Sequence, residues 1–175
     1  MDYMEVIRMK HLISLVGAPA AGKTRFANWF IKRNPVYTYL DIASLRKQWD
    51  ILDEDKSIDK RLEAEQLLWR NTQETIIKSK SSVLLESTGL LHQLQPIYDF
   101  ICDAYIVKFV ARKEELISRI ISRNNTNAQL ELECLEKDLS DIEDLSCNLI
   151  CTNPNEATYI ELEDKIFMYV VEKGA

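Results

Sequence analysis

The clearest chemistry in this 175-residue chain lies in eight consecutive residues. Gly17-Ala18-Pro19-Ala20-Ala21-Gly22-Lys23-Thr24 has the form G-x-x-x-x-G-K-[ST], the pattern of a loop that cradles phosphate. Its two glycines permit backbone angles that a side chain would obstruct, so successive N–H groups can turn inward as an anion nest. A helix opening at Lys23 would add its unpaired N–H groups and the positive end of its dipole. Lys23 supplies a mobile point charge able to bridge the outer phosphates. Thr24 supplies a hydroxyl to Mg²⁺, an ion that keeps most of its waters and takes few protein ligands. The motif therefore predicts a site for a nucleoside triphosphate and Mg²⁺.

Further polar residues stand where they could act beside such a loop. Asp41 and Glu86 each end a short apolar run. Parallel strands deliver ligand-binding groups at their carboxyl ends, so both acids should face the phosphates. An acid there can accept the proton of an attacking hydroxyl or hold Mg²⁺ through water. Asp41 also precedes a short helix, where it could instead serve as the N-cap. Arg119 and Arg123 are four residues apart and project from one helical face. Paired guanidiniums can fork onto a transferring phosphate, although Glu115, one turn earlier, offers Arg119 an ordinary surface partner. Arg46 lies near Asp41 and is either an anion contact or a solvated helix residue; Arg112 is a weaker anion candidate.

The elements that must position these residues alternate in kind. Strands are expected at Leu12–Val16, Tyr37–Leu40, Val83–Glu86, Tyr105–Ala111 and Leu149–Thr152. Helices are expected at Lys23–Arg33, Ser44–Trp49, Ile58–Lys78, Glu114–Arg123 and Asn155–Val171. The long one carries an apolar stripe of Ile58, Leu62, Leu68, Trp69, Thr72 and Ile76. The acids at Asp53–Asp55 read as a loop, and the acidic stretch from Glu131 to Asp144 as the solvated face of a helix. Strand–helix alternation of this kind predicts an α/β fold, a five-stranded parallel sheet between two helical layers. No repeat, low-complexity tract or Gly/Ser linker interrupts it, so one domain over 1–175 is expected.

A phosphate loop alone does not separate kinases, GTPases and ATP-driven motors. A GTPase would carry N-K-x-D after a late strand, where this chain has Cys151-Thr152-Asn153-Pro154. Motors are usually larger. The chain resembles the small phosphate-loop kinases grouped with polynucleotide kinase, zeta toxin, shikimate kinase and gluconate kinase. The resemblance rests on the loop and on Tyr37-Thr38-Tyr39-Leu40-Asp41 followed by Ser44-Leu45-Arg46. It rests also on Val83-Leu84-Leu85-Glu86-Ser87-Thr88-Gly89 and on Arg119-Ile120-Ile121-Ser122-Arg123. It implies the nucleoside-kinase-like fold, with ATP and Mg²⁺ as cofactors and transfer of the γ-phosphoryl group to a hydroxyl. The acceptor could be a nucleoside, a polynucleotide 5′ end or a small metabolite. It further implies Asp41 as base, Glu86 on the metal or substrate side, Arg119 and Arg123 as charge stabilisers, and a lid around 112–130. Thr152-Asn153-Pro154 falls where related kinases pass backbone beside the adenine. Asp41 and Arg46 are five residues apart, wider than the polynucleotide-kinase pattern, which leaves Ser44 as another polar contact. Trp49, Trp69, Tyr37 and His92 are candidate pocket walls. The contrasting expectation is an ATP-binding regulatory protein with little turnover.

Charge and cysteines set outer bounds. The formal net charge is −6, which disfavours broad coating of nucleic acid or membrane surface. Residues 1–48 nevertheless hold eight basic and three acidic residues, a net of +5, leaving −11 to the remainder. The phosphate-facing end is the basic one, and the acidic stretch is expected to lie away from it. Cys102, Cys134, Cys147 and Cys151 form no C-x-x-C, and His11 and His92 have no zinc-ligand spacing. Cys147 and Cys151 read as small buried thiols. With no signal-peptide pattern and no membrane-length apolar run, a cytoplasmic location is expected.

Overall fold

Leu12–Val16 (β1) is buried at all five residues, because it runs through the middle of a sheet covered on both faces. The computed structural model describes residues 11–51, 57–100, 104–123 and 128–174. The N-terminal ten residues, the Asp53–Asp55 loop, Cys102 and the Asn124–Asn127 turn lie outside the described residues. After β1 come Lys23–Arg33 (α1), Thr38–Asp41 (β2), Ile42–Gln48 (α2), Ile58–Lys78 (α3) and Val83–Glu86 (β3). Leu91–Phe100 (α4), Ala104–Phe109 (β4), Lys113–Ser122 (α5), Ala128–Glu143 (α6), Leu149–Cys151 (β5) and Glu156–Gly174 (α7) complete the chain.

The five strands pair in the order β2-β3-β1-β4-β5, all parallel. Side chains alternate across a strand, and β1 shows it. Ile13 and Leu15 join a core with Phe26, Phe30, Ile120, Leu162 and Ile166 from α1, α5 and α7. Leu12 and Val16 join the opposite core with Ile42, Leu68, Ile76 and Leu94 from α2, α3 and α4. Helices therefore cover both faces, giving the expected three layers. Register matters more for function: Asp41 pairs with Glu86, and Glu86 with Leu15. The carboxyl ends of β2, β3 and β1 are thus level, two residues before Gly17.

Some expectations shift. Helix α4 is not among the expected helices, and it carries Pro96, a residue that removes a helical donor. The stripe on α3 is buried at Leu68, Thr72 and Ile76, but Ile58 and Leu62 are 67% and 57% exposed. The first turns of α3 lie beyond the reach of either core. Strand β4 ends at Phe109, and Val110 N–H then bonds Cys151 O at 2.9 Å. Cys151 is buried as expected, whereas Cys147 is only partly so. Among the described residues no helix is long and apolar enough to cross a membrane.

Candidate active site

The loop between β1 and α1 has the backbone that its sequence demands. Gly17 and Gly22 stand at φ of 152° and 103°, and Ala20 between them at 64°. A Cβ on Gly17 would lie 2.5 Å from Phe109 O, and one on Gly22 would lie 2.8 Å from Pro154 Cγ. The second contact brings the segment after β5 against this loop. The first turn of α1 opens with Gly22 as cap and no side-chain capping bond, which leaves the helix N-terminus to an anion.

Lys23 is buried and folded onto its own loop. Its Nζ donates to Gly17 O at 2.7 Å and Ala18 O at 3.0 Å. Burial pushes the ammonium down to about 8, against the pull of Glu86, and Arg123 adds to the lowering. Thr24 Oγ1 donates to Glu86 Oε1 at 2.6 Å, and Tyr39 OH donates to Glu86 Oε2 at 2.5 Å. Burial, reinforced by the Glu86 bond, holds the Tyr39 phenol protonated far above its usual range. Both oxygens of the Glu86 carboxylate are therefore oriented, one by the phosphate loop and one by β2.

Asp41 is the helix cap that its position allowed. It caps α2, accepting from Ala43 N–H at 3.0 Å and from Ser44 Oγ at 2.5 Å. It also lines a cavity of about 130 Å³ together with Lys23, Thr24, Arg46, Glu86 and Arg123. A carboxylate oxygen has two lone-pair sites, so each Asp41 oxygen keeps one beyond its capping bond. Arg46 is no solvated helix residue: its side chain is 17% exposed and forks onto Glu65 of α3. Nε donates to both Glu65 oxygens at 3.0 Å, and Nη2 donates to Oε1. Trp69 Nε1 and Gln93 Nε2 donate to the same carboxylate at 2.8 and 3.2 Å. Burial would raise the Glu65 carboxyl, but the Arg46 bonds outweigh it and hold the group below the usual range.

From α5, Arg119 Nη1 donates to Ala20 O of the loop at 3.3 Å, and Nη2 donates to Glu115 at 3.2 Å. Arg123, one turn on, lines the cavity itself. Arg112 is exposed and paired with Glu115 at 3.0 Å. The candidate walls fare less well. Tyr37 packs edge-on against Phe30, Trp49 lines a separate groove, and His92 is exposed. Trp69 acts through Glu65. The span read as a lid consists of α5, the start of α6 and four residues outside the described set.

Sequence reasoning missed Tyr39, Glu65, Ser87 and Glu131. Period-two alternation put Tyr39 on the face of Asp41, a signal that could have been used. Glu65 could be found only once α2 and α3 were known to pack together. Ser87 follows Glu86 into the turn, lines the same cavity and has a buried Oγ. The acidic stretch after Arg123 is not all solvated face remote from the site. Glu131 lines the phosphate cavity, and half-buried Asp138 lies near enough to Lys23 and Arg46 to feel both charges.

A five-stranded parallel sheet in this order, with a phosphate loop after its central strand, is the nucleoside-kinase-like fold of the phosphate-loop kinases. Solved structures of that fold match nearly the whole chain. Shikimate kinase from Acinetobacter baumannii, in complex with shikimate, aligns at 17% identity and a TM-score of 0.61, over 95% of this chain and 96% of its own. A gluconokinase from Sinorhizobium meliloti 1021 aligns at 12% and 0.57, over 92% and 98%. The APS kinase of Mycobacterium tuberculosis, in complex with AMPPNP and APS, aligns at 14% and 0.57, over 90% and 98%. Shikimate and gluconate kinases are two of the proteins that the motifs resembled. At these identities the likeness establishes the fold. No family model matches the chain, and no curated protein sequence matches it.

Proposed function

We propose that this protein is a phosphotransferase that moves the γ-phosphoryl group of ATP to a hydroxyl of a small molecule. The observation that carries the reading is the meeting of Lys23, Thr24, Asp41, Glu86 and Arg123 in one cavity at the carboxyl ends of β1, β2 and β3. The nest formed around Gly17, Ala20 and Gly22 suits a polyphosphate. Lys23 exchanges the carbonyls of Gly17 and Ala18 for the outer phosphates. Thr24 and Glu86 are oxygen donors already in contact, which suits Mg²⁺, and they would hold it. That ion, when bound, neutralises phosphate charge.

Asp41 takes the proton of the attacking hydroxyl on a carboxylate oxygen, while its capping bonds fix the group at the start of α2. Arg119 and Arg123 stabilise the charge that spreads over the transferring group, Arg119 by leaving Ala20 O. Tyr39 positions Glu86. A small-molecule acceptor is favoured over a polynucleotide 5′ end by the shikimate and gluconate kinases of matching fold.

The test offers γ-labelled ATP with a panel of sugars, polyols, nucleosides and oligonucleotides, with Lys23→Ala as the blank. Label is expected in a small hydroxyl compound and absent with Lys23→Ala. ATP bound without transfer to any acceptor would overturn the assignment and leave a nucleotide-binding regulator.

A further inference from the structure

If the chain transfers a phosphoryl group as proposed, its pocket also constrains what can receive it. We infer that the acceptor is an uncharged or cationic alcohol, with no carboxylate, sulfate or phosphate of its own, because the acceptor side of the pocket offers carboxylates and a cation already neutralised.

The cations lining the phosphate cavity are Lys23, Arg46 and Arg123. Lys23 belongs to the loop, and Arg123 comes from α5 together with Arg119. On the β2–β3 side, where Asp41 can reach an acceptor hydroxyl, the cation is Arg46. Its guanidinium is committed to Glu65 by a fork in which Glu65 also accepts from Trp69 and Gln93. Arg46 Nε and Nη2 are spent on that fork and its charge is balanced by the largely buried Glu65, so an anionic acceptor meets a cation already neutralised. The carboxylates lining the cavity and not assigned to Mg²⁺ are Asp41 and Glu131, which repel a second anion. The adjoining cavity, about 380 Å³ on the other side of Asp41, is lined by Thr24, Asn28, Tyr39 and Ser44 among others, with no Lys or Arg. Apart from Lys23 and Arg123, which the proposed function gives to the phosphates of ATP, neither approach to Asp41 presents a cation without a carboxylate partner among the described residues.

Two residues that line the phosphate cavity carry buried polar atoms without a partner. Ser87 is 5% exposed, and its Oγ is buried with no hydrogen-bond partner among the described residues. Glu131 Oε2 is likewise buried and unpartnered. A carboxylate oxygen in that state needs a donor, which a hydroxyl or an ammonium supplies and a carboxylate does not. The inference separates this chain from acceptors such as shikimate, which carries a carboxylate.

The experiment measures binding of matched pairs to the full-length protein saturated with a non-hydrolysable ATP analogue and Mg²⁺. The pairs are glucose and gluconate, inositol and shikimate, and adenosine and AMP. In at least one pair the uncharged member is expected to bind at least tenfold tighter, and in none should the anionic member be preferred. Tighter binding of an anionic member, or binding of neither member in every pair, overturns the inference. Glu65→Gln, which keeps the shape and releases Arg46, should move the ratio of affinities toward the anionic member by about tenfold; a purely structural Glu65 would weaken both members alike. Label transfer is scored separately. Nucleotide bound without turnover sinks the phosphotransferase reading and leaves the acceptor preference to be judged by binding.

Discussion

At the residue scale, the proposed function makes the charge on Lys23 decisive. Burial leaves its ammonium near 8, so the free protein begins to lose that charge in mildly alkaline solution. Polyphosphate favours the protonated form, so binding takes up a proton wherever the free lysine has lost one. ATP affinity should therefore be flat below about pH 7 and fall by up to about tenfold per unit above pH 8, as titration calorimetry across that range would read. An affinity unchanged to pH 9.5 would show that Lys23 does not meet the phosphates. Asp41 allows its two roles to be separated, because asparagine caps a helix as well as aspartate does. Asp41→Asn should retain the α2 cap and the ATP affinity while lowering kcat by roughly 10²–10⁴. Steady-state kinetics beside nucleotide titration would check this, and an unchanged kcat would remove the base assignment.

At the element scale, the loop and α5 border the cavity from two directions. Gly22 holds a φ of 103° and faces Pro154, so Gly22→Ala adds both strain and a clash. It should destabilise the fold by about 1–3 kcal/mol in denaturant unfolding and weaken ATP binding. Arg119 touches the loop at Ala20 from α5, with its side chain 41% exposed. Arg119→Ala should lower kcat by roughly 10²-fold with stability nearly unchanged, as expected of a group that acts on developing charge. Equal losses in ATP affinity and kcat would make it a ground-state contact instead.

What could be read from the sequence follows the same divide between local and long-range order. The phosphate loop was legible because its backbone is dictated within eight residues. Asp41 and Glu86 were legible as strand ends, and the parallel register that levels them confirmed the placement. The fork of Arg46 on Glu65 joins α2 to α3 across 19 residues, and the Thr24–Glu86 bond spans 62. Contacts of that kind depend on which strands and helices become neighbours, which periodicity does not specify. Helix α4, absent from the helices expected from the sequence, carries Pro96, a residue that normally argues against a helix interior.

At the scale of the whole molecule, the net charge of −6 conceals a division of labour. Basic residues of the first third include the loop lysine, while acids from distant parts of the chain return to the same cavity through Glu86 and Glu131. Under the proposed function this is a phosphate seat beside a carboxylate-rich approach, an arrangement suited to holding a triphosphate and deprotonating a hydroxyl next to it. The most direct measurement is phosphorus NMR of ATP, Mg²⁺ and the acceptor panel with the wild-type chain. The account predicts loss of the γ resonance with a phosphomonoester appearing in equal amount to ADP. Release of inorganic phosphate alone, or bound ATP that never turns over, would contradict it.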